Sequence, residues 1–284
     1  MQFSIISQYI LPKQAITVLA GKLANLKAGK LTTAVIAWFV SRYNVNMAEA
    51  AEPAISSYKT FNDFFTRPLK MGSRPLATAD FICPVDGAIS QLGHIEADQI
   101  FQAKGHAYSI AALVGGDKNL AKKFENGVFA CLYLSPKDYH RIHMPCDGTL
   151  KSMTYVPGAL FSVNPTTAQG VPGLFARNER VVCEFYSAEH GSFIMVLVGA
   201  TIVGSMATAW HDGKNGIVNP PRTRNIRTWS YESQHINLKQ GDEMGKFLLG
   251  STVVLLFKKD TLKFNTTWQA ERAIKLGEMM ATKI

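Results

Sequence analysis

Between Met1 and Ala48 the sequence contains no aspartate and no glutamate, although Lys13, Lys22, Lys27, Lys30 and Arg42 all fall there. Charged residues are sparse throughout, 18% of 284 against 47% apolar, which excludes a disordered chain and indicates a globular one with a sizeable core. Cysteines are few. Cys83, Cys131, Cys146 and Cys183 form no CxxC pair and no metal-ligand spacing, so neither a disulfide framework nor a zinc ribbon is expected. Long apolar runs are missing as well. The longest near the N-terminus, "AVIAWFV", falls far short of the roughly 20 residues that span a bilayer. An early basic cluster, a compact apolar run and a small-residue cleavage site are also lacking, so no secretory signal is expected. There is no internal repeat and no low-complexity tract.

What is present is a net charge of +9, which calls for an anionic partner. Between the N-terminal cations lie long apolar side chains, with few amide or aromatic groups suited to reading bases. A lipid surface is therefore favoured over nucleic acid. Ile16, Leu19, Leu23 and Leu26 recur at helical spacing, and Gly29 is expected to end that helix. A second helix is predicted from Leu31 to Tyr43, with Val35, Ile36, Phe39 and Tyr43 on one side and Trp38 on another. Both helices could instead simply cap a core. The unneeded lysines and missing acids favour the membrane. Thr60 to Asp63 reads as a capping box ahead of Phe61, Phe64 and Phe65. Pro68 and Pro75 then mark a passage into β-like sequence from Phe81 onward, with "HAYSIAALVGG" as one short helix. The expected fold is α+β: an antiparallel β-rich barrel or sandwich-like core (76–284) behind N-terminal amphipathic, membrane-facing helices (1–75).

Four stretches carry candidate chemistry. In "GKFLLGSTVVLLF", read as a buried strand, Gly250 and Ser251 interrupt the apolar run with a flexible residue and a hydroxyl. "CPVDGAIS" places Asp86 in a turn pair that by itself demands no catalysis. In "SPKDYHRIHMPCDG", His140 and His143 would share a side if one helical turn formed there, with Pro145 ending it. No third ligand offers itself for a metal, and two surface histidines are the plainer alternative. "PGALFSVNPTTAQGVPGLFARNERVV" offers Phe161, Leu174 and Phe175 as an apolar wall beside Arg177 and Arg180, as a substrate-facing segment or an ordinary loop.

Taken together, "LGST" at 249–252, "YHRIHMP" at 139–145, "PVDG" at 84–87, "KGHAYS", "LFSVN" and "LFARNER" resemble bacterial phosphatidylserine decarboxylases over nearly the whole chain. The resemblance implies an inactive proenzyme that cuts itself between Gly250 and Ser251 into chains 1–250 and 251–284. Ser251 Oγ would attack the Gly250 carbonyl, with His143 as base and Asp86 orienting it. Ser251 would then become a covalent pyruvoyl cofactor, which forms a Schiff base with phosphatidylserine and accepts electrons as carbon dioxide leaves. His140 would protonate the product, although the sequence alone lets the two histidines exchange roles. Phe161, Asn164, Arg177 and Arg180 are the expected substrate contacts, and no metal is expected.

The resemblance further implies a heterodimer of the two cleaved chains, a homodimer of that pair, and peripheral attachment to an anionic membrane at the cytoplasmic face of the cell membrane. Two other classes compete. A membrane-associated serine hydrolase would use Ser251, His143 and Asp86 without self-cleavage, but "GST" is not a G-x-S-x-G elbow. A non-catalytic domain binding anionic lipid would need none of these residues.

Overall fold

The computed structural model describes residues 8–9, 11–201, 205–211, 216–218, 223–248 and 251–284. Its centre is a nine-stranded antiparallel sheet. The strands run in the order Arg227–Ser230, Gly148–Val156, Arg180–Ser187, Gly191–Val198, Ser251–Phe257, Val128–Leu134, Gly87–His94 and Ala273–Ile274, and Asn237–Leu238 also pairs with Gly148–Val156. The two ends of this order do not meet, so the expected barrel is not closed. Two three-stranded sheets accompany it, one of them ordered Met206–Thr208, Glu243–Phe247, Arg141–His143.

The large sheet is buried on both faces, which explains why its central strands read as continuous apolar runs rather than alternating ones. Along Ser251–Phe257, Val253, Leu255 and Phe257 enter a core shared with the smaller sheets, including Ile142, Met144 and Phe247. Val254 and Leu256 enter a second core on the opposite face, closed by Leu113, Leu174 and Phe175 from short helices. By strand alternation Ser251 shares the side of Val253, toward the sheet that carries His143.

The run "GKFLLGSTVVLLF" is two strands rather than one interrupted strand. Glu243–Phe247 ends in the small sheet, and Ser251–Phe257 begins in the large one. Gly250 lies outside the described residues. "HAYSIAALVGG" is likewise divided, into a strand His106–Ser109 and a helix Ile110–Leu113 capped by the Ser109 side chain.

Two N-terminal helices, α1 (Lys13–Ala24) and α2 (Lys30–Tyr43), precede a short third, α3 (Phe61–Phe65). Gly29 does not end α1, which stops at Ala24. It stands at the start of α2 with φ +56°, a conformation open to glycine. The capping box at α3 forms as expected. Thr60 accepts from the Asp63 backbone at 3.0 Å, and the Asp63 carboxylate accepts from the Thr60 backbone at 3.1 Å. Ile36, Phe39, Phe64 and Phe65 build a third, separate core. The apolar row of α1 is turned outward: Leu19 is 59% exposed and Leu23 57%, joined by Trp38 of α2 at 61%.

Candidate active site

Strand order gathers the candidate residues at one end of the large sheet. Ser251 opens its strand opposite Leu134, the last residue of the neighbouring strand, and Thr252 pairs with Tyr133. Asp86 immediately precedes the next strand over, where Ala88 pairs with the same Tyr133. Gly87 is required there by close approach, since a Cβ would lie 2.2 Å from the Tyr133 carbonyl oxygen. That accounts for the glycine of "PVDG" without any special turn.

Beyond Leu134 the chain loops through Asp138, Tyr139 and His140 into the strand Arg141–His143. The expected helical turn does not form, because this segment pairs with Glu243–Phe247 across about a hundred residues of sequence. The two histidines therefore occupy different settings. His140 is fully buried, its ring centroid 4.0 Å from that of Phe65 on α3. Its Nδ1–H donates to the Asp138 carbonyl at 2.7 Å, which leaves the lone pair on Nε2, and Nε2 has no partner among the described residues. Burial lowers its pKa to about 3, so the ring is neutral at pH 7. His143 is held differently. Its Nδ1–H donates to the Gly241 carbonyl at 2.7 Å, and its Nε2 accepts from the Tyr139 hydroxyl at 3.1 Å. Burial lowers this pKa too, against the hydrogen bond to Gly241. Both imidazoles thus offer a basic Nε2, one free and one covered by a phenol.

Asp86 is 1% exposed and is bonded elsewhere than to His143. Arg74 grips it through Nε (2.9 Å to Oδ1) and Nη2 (2.5 Å to Oδ2), Lys275 approaches to 3.2 Å, and the Leu276 N–H donates at 2.9 Å. Glu49 shares the same Arg74 nitrogen at 2.5 Å. Burial alone would raise the carboxyl pKa, but the Arg74 and Leu276 hydrogen bonds and the two cations outweigh it and hold the group below its ordinary value. Asp86 reaches His143 only as a charge, raising its pKa slightly against the larger effect of burial.

Ser251 is 1% exposed, and its Oγ has no hydrogen-bond partner among the described residues; the same is true of Thr252 Oγ1. A buried hydroxyl left unpaired costs about 1–3 kcal/mol. Ser251 and Thr252 are consecutive and by strand alternation face opposite sides of the sheet, so this cost falls on both faces at one end of the strand.

The remaining expected contacts are bonded elsewhere, although Arg180 pairs with Val198, which itself pairs with Thr252. Asn164 caps the helix Pro165–Gly170, its Oδ1 accepting from the Thr167 backbone at 2.9 Å. Arg180 is 3% exposed and donates to the carbonyls of Leu113, Asn178 and Ala112 at 2.5, 2.7 and 2.6 Å, with its pKa lowered by burial to about 10. Phe161 lies under Lys13 and Arg177, whose charged ends are 4.0 and 4.9 Å from its ring centroid, beside Tyr9. Sequence reasoning missed Arg74, Lys275 and Tyr139 as partners of the site. Only Tyr139 carried a local signal, standing four residues before His143 in the same quoted stretch. Among the described residues no His/Cys/Asp/Glu group could hold a metal ion.

A family model described as phosphatidylserine decarboxylase matches residues 61–282, and a second, described only as PSD, matches residues 3–44. The chain is 69% identical over 281 residues to a protein of Dechloromonas aromatica (strain RCB) named phosphatidylserine decarboxylase proenzyme, covering 99% of this chain and 98% of the relative. Proteins of the same name from Albidiferax ferrireducens and Herminiimonas arsenicoxydans are 66% and 64% identical, each over 280 residues and 99% of this chain, covering 97% and 94% of their own lengths.

Proposed function

Because this chain belongs to the phosphatidylserine decarboxylase family and is an enzyme of that kind, we propose that it makes its own carbonyl cofactor from Ser251. With that group it removes the carboxylate of phosphatidylserine, leaving phosphatidylethanolamine. The observation that carries this reading is the Ser251 hydroxyl, 1% exposed at the start of a central strand and without a hydrogen-bond partner among the described residues. A hydroxyl kept only for packing would be expected to find a partner. One kept as a reagent need not.

In this reading Ser251 Oγ attacks the Gly250 carbonyl, and the acyl group moves from nitrogen to oxygen. The hydroxyl proton passes to His143 Nε2 once the Tyr139 phenol turns away from it. Asp86 favours the cationic ring by charge, not by a hydrogen bond. Loss of the Ser251 α-proton then expels the carboxylate of chain 1–250, and water releases ammonia from the remaining double bond. A pyruvoyl group is left at the head of chain 251–284. The setting fits that group: it would form at a position that is 1% exposed and whose hydroxyl has no partner among the described residues to hold it back. When present, it supplies an electron sink for the charge left by departing carbon dioxide. His140, kept neutral by burial and aligned by Asp138 and Phe65, carries a proton from the substrate ammonium to the carbon that loses the carboxylate.

The outward apolar row of α1, with its lysines, supports peripheral attachment to an anionic membrane at the cytoplasmic face, and division of the chain into 1–75 and 76–284. No helix among the described residues is long and apolar enough to cross a membrane. Phe161 is 3% exposed beneath Lys13 and Arg177, so of this pair the exposed Arg177 is the one open to the lipid. Asn164 and Arg180 serve the framework that holds them.

Two variants test the division of labour. His143→Gln should leave the chain whole, whereas His140→Gln should still yield two chains on a denaturing gel but release no carbon dioxide. Normal turnover by His140→Gln, or normal cleavage by His143→Gln, contradicts the assignment.

A further inference from the structure

A cleft of about 1140 Å³ lies between α1 and the edge of the small sheet. Val18, Lys22 and Leu26 form one wall, Asn62 of α3 lies on another side, and Lys246 and Leu248 continue toward the cleavage site. Leu248 stands three residues before Ser251, a length of chain that spans at most about 10 Å. α3 ties the cleft to the catalytic cluster, because Phe65 of the same helix stacks on His140.

The charge in the cleft is unbalanced. Neither Lys22 nor Lys246 has an acidic partner among the described residues, and Lys246 is half-buried. The one acid on the lining, Asp63, has a carboxylate oxygen engaged by the Thr60 backbone in the capping box. Asn62 is 6% exposed, and its side-chain oxygen is buried without a partner among the described residues. Such a site lacks an anion to meet two ammonium groups.

We propose that this cleft holds the phosphodiester and glycerol of the acylated substrate, with Lys246 and Lys22 on the phosphate. This deepens, and rests on, the decarboxylase reading above. An ammonium on a flexible stem is a common phosphate partner, and its attraction strengthens where water is partly excluded. The outward leucines of α1 continue the same wall, so acyl chains can remain in the membrane while the head group reaches Ser251. The cleft thereby selects an acylated phosphodiester over a freely diffusing phosphate.

The test uses the processed enzyme and carbon dioxide release from dihexanoyl phosphatidylserine kept monomeric, which removes any effect of adsorption to an interface. Lys246→Gln should self-cleave normally but raise KM about tenfold, with a smaller change in kcat. Lys246→Arg should restore KM, and the distant exposed Lys118→Gln should leave it unaltered. Lys22→Gln combined with Lys246→Gln should raise KM further. An unchanged KM in that double variant overturns the cleft assignment, as does an effect seen on anionic vesicles but absent with monomeric lipid. Inorganic phosphate competing at the substrate's own KM would also overturn it. A wild-type protein that releases no carbon dioxide removes the decarboxylase reading itself, a different failure from an intact activity that ignores Lys246.

Discussion

Asp86 is surrounded by more positive charge than one carboxylate neutralises, and Glu49 is drawn into the same knot by Arg74. Removing Arg74 would leave a nearly buried anion facing only the half-exposed Lys275 and one backbone N–H. Breaking a buried pair from one side costs roughly 3–5 kcal/mol. Arg74→Met is expected to lose about 3 kcal/mol in denaturant unfolding, near the lower end because Lys275 remains. It should also slow self-cleavage. An unchanged denaturation midpoint would show that the knot contributes little.

His140 gives a pH signature. Its native pKa of about 3 lies below its unfolded value, so between those values the unfolded chain binds a proton that the native chain does not. Stability from this group is full above about pH 6.5 and is lost progressively as the pH falls toward the native pKa. The melting temperature of His140→Gln should therefore fall less steeply than that of the wild type on acidification from neutral pH to about pH 4.5. Parallel curves would contradict this. At this scale Ser251, His143, His140 and Asp86 could be singled out as candidates because each sits in a short, recognisable stretch. Arg74 and Gly241 were not, because their contacts with Asp86 and His143 bridge 12 and 98 residues, and nothing nearby announces them.

Elements were legible where the causes are local. The Thr60–Asp63 capping box formed as read, because both of its hydrogen bonds lie within four residues. The apolar run at 251–257 was correctly a strand, since both of its faces are buried. The misreadings share one cause, which is pairing between distant segments. His140 and His143 suggested a helical turn by their spacing, but Glu243–Phe247 draws Arg141–His143 into a strand. The break between Phe247 and Ser251 reflects two sheets competing for one apolar stretch, and composition alone does not show where that occurs. Helix α1 was legible as amphipathic, although Leu19, Leu23 and Leu26 are each more than half exposed. Replacing Leu19 and Leu23 together by Glu should leave the melting temperature nearly unchanged, since both are more than half exposed. It should abolish co-flotation with anionic vesicles, because apolar burial and attraction to the lipid surface are lost together. Undiminished flotation would mean that this face is not the membrane contact.

Across the whole molecule, the charge, the outward apolar face and the sealed serine point to one design. In the proposed reading a basic platform at the N-terminus would rest on lipid, with the large sheet behind it carrying Ser251 and Asp86 toward one end. The smaller product of self-cleavage would keep the central strand Ser251–Phe257 between Val128–Leu134 and Gly191–Val198, which belong to the other chain. The two chains should therefore stay together without a covalent link, held by main-chain pairing on both sides of that strand and by two buried cores. The sequence pointed to a two-chain product only through family resemblance, and the strand order that would hold the chains together is not written in composition or spacing.

The most direct measurement is the intact mass of the purified protein under denaturing conditions. The account expects two species, residues 1–250 and a fragment 251–284 lighter by one ammonia than the same fragment beginning with serine. A single species with the mass of all 284 residues, from a preparation that still decarboxylates phosphatidylserine, would contradict it.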